Sequence, residues 1–299
     1  MTDIIRILYM IIYLYSANPA AQNPVMAQNV FAEYQVNGLE AASEKLKEYS
    51  PQVETEAGAE TEVESAPEKS SEIKQDLSKF DYKKGLITLG FYKEESKDGR
   101  LNLRNAVLRF QSSCNMTVDG KWNNKCLTAL AGILNEQNMG CKDLIAAPPS
   151  EGMWIAINKS QRILTLYEGS NILKKYPIAI GNPSTLTPDG KFTIVSKVID
   201  PYWGGGGYTN PVKGGLPENP LGHRWMGLSY KSGDDLGIHG NNSPYSIGKN
   251  ISHGCIRMIN SDVEELFEII PKSSIVWVGT DTVLKSWGVE QPVLQLLSP

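Results

Sequence analysis

"GIHGNNSPYSIGKNISHGCIRM", Gly237 to Met258, holds two of the chain's three histidines and one of its four cysteines. A thiol becomes a useful nucleophile when a neighbouring base takes its proton or when cationic groups favour the thiolate. His239 and His253 are the candidate bases for Cys255. His253 lies two residues away, so an extended strand would put both side chains on one face, whereas His239 must return across the intervening loop and is geometrically freer. Gly254 removes a side chain where a substrate carbonyl would approach, and backbone N–H groups there are suited to an oxyanion. "SHGC", Ser252 to Cys255, thus reads as a nucleophile with an oxyanion platform. Arg257 is placed either to stabilise a carboxylate or the thiolate, or to form a structural ion pair with Asp262. Two other readings compete. One is a zinc site drawn from His223, His239, His253 and Cys255, although the single-residue gap between His253 and Cys255 is awkward for paired ligands. The other is a core cysteine with incidental histidines.

Outward from this stretch the pattern is β-rich. "WIAIN" and "RILTLYEG" flank a turn-like "KSQ". In "YPIAIG" the residues Tyr176, Ile178 and Ile180 share a face, and "KFTIVSKV" and "SSIVWVG" continue the period of two. One helix interrupts it. In "NSDVEELFEII", Ser261 and Glu264 form a capping-box pattern ahead of a stripe of Val263, Leu266, Phe267 and Ile270. Between these elements, "WGGGGYTNPVKGG" (Trp203 to Gly215) reads either as a mobile rim over the cleft or as a tolerated surface insertion.

Further upstream the period becomes helical. Leu103, Ala106, Val107 and Phe110 form one apolar face, and Leu127, Leu130, Ala131 and Leu134 another. A preceding helix should end near Gly90, and "TVDG" should turn between the second and third helices. Before this unit, Glu54 to Asp76 is acidic, without aromatic residues and poor in large apolar ones, so it cannot bury enough surface to offset chain entropy. The apolar block "ILYMIIYLY" (Ile7 to Tyr15) follows Arg6 and is too short for a spanning helix of roughly 20 residues. It reads as an export signal or anchor.

The length of 299 residues and an apolar fraction of 41% fit two compact units with connecting chain. A net charge of −4 without a dense Lys/Arg run argues against a nucleic-acid partner. Of the four cysteines, a working Cys255 leaves Cys114, Cys126 and Cys141, enough for at most one bridge.

Two resemblances sharpen this. "LGFY", "AVLRFQ" and "MTVDGKWNNKCLTAL" resemble the peptidoglycan-binding domain found beside bacterial wall enzymes, through Gly90, Phe110, Gln111, Asp119, Gly120 and Leu130. Members usually enter the last helix with a Gly-Pro-Thr type sequence, where this chain has Asn123 to Cys126. "IHG" followed by "SHGCIRM" resembles the active-site signature of the L,D-transpeptidase (YkuD-like) family, as do "GNPSTLTPDGKFTI", "NPLGHRWMGL" and "NSDVEELFEII". The second resemblance spans roughly Gly152 to Thr280, with His223 standing where Pro often follows "PLG".

Together the resemblances imply a multidomain chain, with a mainly-β sandwich catalytic domain and a small all-α three-helix peptidoglycan-binding domain. The expected boundaries are a signal or anchor over 1–27 and a helix-prone then acidic tether over 28–72. The helical domain follows over 73–146, the catalytic domain over 150–284 and a tail over 285–299. The second resemblance implies Cys255 as nucleophile, His239 as base, and the Gly240 carbonyl as the group orienting that imidazole. It places Ser252, His253 and Gly254 on the oxyanion and substrate side, with Arg257 in its usual place. The implied reaction is 3→3 cross-linking of peptidoglycan through a thioester, with no metal or organic cofactor. The implied partners are stem peptides, glycan and carbapenem-type inhibitors, outside the cytoplasm. An L,D-carboxypeptidase, or a wall-binding protein without activity, are the alternative functions.

Overall fold

The computed structural model describes residues 81–134, 142–207, 209–231 and 235–294. All of these belong to one compact unit, Ser71–Pro299. The expected signal and tether over 1–72 lie outside the described residues. Among the described residues, no helix is long and apolar enough to cross a membrane.

Among the described residues the first elements are three helices, α1 (Tyr82–Thr88), α2 (Gly99–Ser113) and α3 (Asn124–Leu134). Asp81 caps α1 by accepting from Lys84 N, and the helix stops where Gly90 turns left-handed at φ +75°. There the Phe91 N–H donates to Leu86 O and the Gly90 N–H to Ile87 O, satisfying carbonyls the helix leaves open. Gln111, Asp119 and Gly120 form a single device. The Gln111 carboxamide accepts from the N–H groups of Asp119 and Gly120, at 3.0 and 2.9 Å, and donates to Asp119 Oδ1 at 2.8 Å, locking the turn before α3.

On α2 the expected face is present, with Ala106, Val107 and Phe110 in the helical core. The opposite face is also buried, because Leu108 packs with Ile163, Ala179, Ile247 and Ile259 of the β-rich part. On α3 the buried positions are Cys126, Ala129, Leu130 and Gly132, a face rotated by about one residue from the predicted stripe. Cys126 fills the place where the sequence suggested an apolar Leu127.

Eleven strands follow among the described residues: β1 (Leu144–Ile145), β2 (Met153–Asn158), β3 (Ile163–Glu168), β4 (Asn171–Gly181), β5 (Gly190–Ile199), β6 (Arg224–Leu228), β7 (Gly237–His239), β8 (Asn250–Ser252), β9 (Ile256–Met258), β10 (Ile275–Gly279) and β11 (Val289–Glu290). Nine form a sheet in the order β3-β2-β10-β5-β6-β7-β9-β4-β8, and β3 also pairs with β4. That last pairing closes the sheet, so the expected sandwich is a barrel. The reason is the length of β4. Residues 171–177 pair with β3, while Ile178–Gly181 pair with β9 and β8. Along β2, Ile155 and Ile157 face the barrel core, while Trp154 and Ala156 pack outside it with Tyr167, Trp277 and Leu284. Both faces are buried, which is why the strand reads as a continuous apolar run.

Two helices lie on the barrel, α4 (Asn260–Ile269) and α5 (Asp281–Ser286). Val263, Leu266, Phe267 and Ile270 enter the core as their spacing predicts. The capping box does not form. Helix α4 begins at Asn260 after Ile259 without a side-chain cap. The Ser261 hydroxyl instead bonds Glu95, and accepts from Arg109 Nη2 at 3.1 Å, because this end of α4 faces α2.

Of the residues expected as a tail, 285–294 are described and are packed. β11 pairs with β1, and Leu294 lies against the helical core. Gln291 Nε2 donates to Thr165 Oγ1 at 2.8 Å and to Tyr167 OH at 2.9 Å. The same buried patch holds Lys175 against Asp143 at 2.5 Å and against Asn115 Oδ1 at 2.8 Å. Burial alone would raise the Asp143 carboxyl, but Lys175 and the surrounding donors hold it below the usual carboxylate range.

The second buried charge pair joins α2 to α4. Arg109 donates to Asp262 through Nε at 3.0 Å and lies 2.8 Å from it through Nη2, with Asp262 1% exposed. Asp262 therefore pairs with Arg109 and not with Arg257. Replacing Arg109 by Leu leaves a buried carboxylate without its cation and should cost about 3–5 kcal/mol, read as a lower denaturant midpoint in urea.

Candidate active site

The nucleophile turn is a consequence of strand pairing. β8 runs parallel to β4 and β9 antiparallel to it, so the chain must reverse within residues 253–255. Gly254 makes that reversal at φ +122°, a conformation L residues rarely adopt, and a Cβ there would meet open space, with Leu186 O nearest at 3.9 Å. The requirement for glycine is thus conformational. His253 and Cys255 lie in the bend between β8 and β9 and in neither strand, so the shared face that an extended strand would give does not form. His253 is exposed on the outside of the turn, and Cys255 is half-buried.

Several hydroxyls fasten this turn. Ser252 Oγ donates to Cys255 O at 2.5 Å and accepts from Gly254 N at 3.2 Å. Thr187, fully buried, was not singled out in the sequence. Its hydroxyl accepts from Gly181 N at 2.8 Å and donates to Gly254 O at 2.7 Å. Thr185 Oγ1 and Asn182 N both reach Ser252 O, at 3.1 and 2.9 Å. Gly181 is required here by space, since a Cβ would fall 2.2 Å from Thr185 O. In a planar trans peptide the carbonyl of Gly254 and the N–H of Cys255 point opposite ways, so holding the carbonyl in the Thr187 pocket aims that N–H away from it.

His239 ends β7 and is 3% exposed. Parallel pairing of β7 with β9 sets His239 opposite Arg257 and Ile238 opposite Ile256, which brings the imidazole strand beside the strand that follows Cys255. Nδ1 lies 2.7 Å from Gly240 O, so Nδ1 carries the proton and Nε2 is left as an acceptor. Gly240 has no room for a side chain, because a Cβ would meet Asn260 Oδ1 at 2.4 Å. Asn260 holds the following residue as well, accepting from Asn241 N at 2.7 Å and donating to Asn241 O at 3.0 Å. Trp225 stacks on the imidazole with ring centroids 5.7 Å apart. It is a further contact the sequence motif did not single out.

Burial, then the nearby Arg257 charge, lower His239 to about 3, only partly offset by the Gly240 hydrogen bond. Burial raises the Cys255 thiol, with the Gly237 backbone and Arg257 acting against it. Cys255 Sγ lies 4.0 Å from Asp235 O. The resting pair is therefore a neutral thiol and a neutral imidazole. No standing thiolate–imidazolium charge pair is expected between two groups that are both neutral. Arg257 is half-buried, and its Nε has no hydrogen-bond partner.

The remaining candidates lie elsewhere. His223 Nδ1 is 2.8 Å from Asp200 Oδ1 on an exposed edge. Among the described residues, no three His, Cys, Asp or Glu side chains gather to hold a metal ion. At the ends of the Gly-rich loop Trp203 and Val212 form an antiparallel bridge, and Asn219 Nδ2 ties its base to Pro201 O and Lys213 O. Cys126 is a buried thiol, Cys114 is buried at the end of α2, and Cys141 lies outside the described residues.

A neutral resting pair has two measurable consequences. Alkylation of Cys255 by iodoacetamide should be slow at pH 7 and accelerate above about pH 9, the ordinary thiol range. A rate already at its plateau from pH 5 to 8 would mean a thiolate–imidazolium pair instead. A histidine whose folded pKa is depressed from 6.5 to about 3 binds its proton more readily when unfolded. Stability is therefore full above pH 6.5 and falls as pH drops toward 3. In urea titrations at stepped pH, His239→Gln should show a smaller loss over that window.

Residues 152–280 match the family model described as the L,D-transpeptidase catalytic domain, and residues 68–130 match "Putative peptidoglycan binding domain". "Putative L,D-transpeptidase YqjB" of Bacillus subtilis is 37% identical over 130 residues, covering 43% of this chain and 72% of that protein. "Putative L,D-transpeptidase YkuD" of Bacillus licheniformis is 43% identical over 122 residues, 41% of this chain and 62% of the relative. "Probable L,D-transpeptidase YcfS" of Escherichia coli is 33% identical over 153 residues, 46% of this chain and 47% of the relative. The chain thus spans less than two thirds of the last two. Sequence signature, strand-built cysteine turn and these likenesses converge, and the chain belongs to the L,D-transpeptidase family.

Proposed function

We propose that this chain is an extracytoplasmic L,D-transpeptidase that joins peptidoglycan stem peptides by 3→3 cross-links. The observation that carries the proposal is the His239–Gly240 hydrogen bond, which leaves Nε2 as the proton acceptor beside the cysteine turn. Residues 73–146 act as the wall-binding part and 150–284 as the catalytic part.

In the first half-reaction, Cys255 Sγ attacks the carbonyl of the third stem residue while His239 Nε2 takes the thiol proton. The Cys255 N–H, turned away from the Thr187-held carbonyl, donates to the developing oxyanion. Collapse breaks the peptide bond, His239 returns the proton to the departing D-alanine amine, and a thioester remains on Cys255. In the second half-reaction, an amine from another stem attacks the thioester and its proton passes to His239. Collapse then releases the thiolate, which takes that proton back. Arg257 and His253, on either side of the turn, position substrate carboxylates and amides. The buried neutral imidazole suits both halves, because it must accept and return one proton without being held as a cation.

Purified protein incubated with a disaccharide-tetrapeptide should give a dimer lighter than two monomers by one free alanine, absent with Cys255→Ala. Tripeptide without dimer would instead identify an L,D-carboxypeptidase, and no product with intact binding to sacculi would identify a wall-binding protein. A carbapenem should add to Cys255 and to no other cysteine, read by intact and peptide mass. Thr187→Val frees the Gly254 carbonyl and should slow carbapenem acylation about tenfold to a hundredfold, in line with loss of an aligned oxyanion donor.

A further inference from the structure

Only one covalent path runs directly from the proposed base to the nucleophile turn, the loop Asn241–Lys249 between β7 and β8. The catalytic part holds its two ends. Asn241 Nδ2 donates to Met258 O at 2.7 Å at one end, and Gly248 N donates to Ile178 O at 3.0 Å at the other. Between those anchors the loop is held from α2. Arg104 Nη2 donates to Ile247 O at 2.6 Å, and its guanidinium lies 5.8 Å from the Tyr245 ring centroid. The Tyr245 hydroxyl donates to Asp98 Oδ2 at 2.7 Å, the same carboxylate that caps α2 through Arg100 N. Ile247 is fully buried against Leu108 and Val118 of the helical part. Gly248, at φ +83°, has room for no Cβ without pressing on Leu108 Cδ2 at 3.0 Å.

The chemistry of Arg104 is unusual for a structural arginine. Its hydrogen bond goes to a backbone carbonyl of the loop and not to a carboxylate, and its Nη1 is buried without a partner. A guanidinium desolvated for one carbonyl is costly as a stabilising device. It makes sense where that carbonyl has to be kept in place.

We infer that Arg104, with Tyr245 and Asp98, is a positioning residue for the transfer reaction: the helical part clamps the loop joining His239 to Cys255. The inference rests on the proposed reaction, since it assigns the helical part a role in turnover besides wall binding. Displacement of a reacting group by a fraction of an ångström lowers the rate of the chemical step and leaves substrate affinity largely unchanged.

The test uses the full chain with Arg104→Met, which keeps the aliphatic stem, Arg104→Lys, and Tyr245→Phe, which removes one exposed hydroxyl. In Arg104→Met, kcat for tripeptide and dimer formation should fall about tenfold with KM within about twofold. Tyr245→Phe should fall less and Arg104→Lys should recover part of the rate. Retention on sacculi should be unchanged, and amide exchange over Asn241–Lys249 should accelerate in Arg104→Met and Tyr245→Phe. An intact kcat overturns the inference: with faster exchange it leaves Arg104 a packing role, and with raised KM or lost retention it makes Arg104 a ligand contact. If the parent protein itself forms no product, the transfer reading fails, and unchanged loop exchange would then overturn the clamp separately.

Discussion

Strand β4 has to satisfy three partners along one length, and the geometry of the site follows from how it does so. Its first part pairs with β3 and closes the barrel, while its last residues pair with both β9 and β8. Two short strands of opposite direction on one neighbour leave a three-residue reversal between them. A reversal that tight needs left-handed backbone, which Gly254 supplies. The cysteine sits at the tip of this turn because barrel closure creates the turn there. Gly181, the last residue of β4, is also where the 182–187 loop folds back, so the strand that makes the turn also brings Thr187 to hold it.

The electrostatics of the pair come from the same packing. His239 is on a central strand beneath Trp225, and burial outweighs the one hydrogen bond that would favour its cation. In the proposed reaction the histidine takes and returns one proton in each half, and a thiol and an imidazole that are both neutral at rest suit that exchange. Arg257 adds a positive field that further disfavours an imidazolium while favouring charge on sulfur.

Helices and barrel meet through buried polar groups as well as through the apolar contact of Leu108 and Val118 with Ile163 and Ile247. Arg109 with Asp262 and Glu95, and Lys175 with Asp143, place charge where water is excluded. Such pairs are weak contributors to net stability compared with apolar packing, yet breaking one is expensive. They fix one relative placement of α2 on the barrel in preference to the many that apolar contact alone would allow. The C-terminal residues complete that arrangement, because Asn115 Nδ2 donates to Pro292 O and Gln291 reaches β3.

Much of this was legible in residue order. The periods of two and of 3.6, the glycines at 90, 120 and 254, and the clustering of His239, Ser252, Gly254 and Cys255 are local signals, because backbone geometry and nearest-neighbour chemistry act over a few residues. What failed was also local in form. The Ser261–Glu264 capping pattern was outbid by Arg109 and Glu95 on a distant helix, and the stripe on α3 was rotated by what it packs against. His253 and Cys255 parted faces because strand pairing, not spacing, set the turn between them. Thr187, Trp225 and Arg104 carry no signature of their own, since a threonine, a tryptophan or an arginine acquires a role only from what folding sets beside it. The sequence by itself determined which chemistry the chain carries. Tertiary structure alone decided which imidazole proton points where, which carbonyl is held, and which helix holds the loop between His239 and Cys255, because those depend on contacts between residues far apart in the chain.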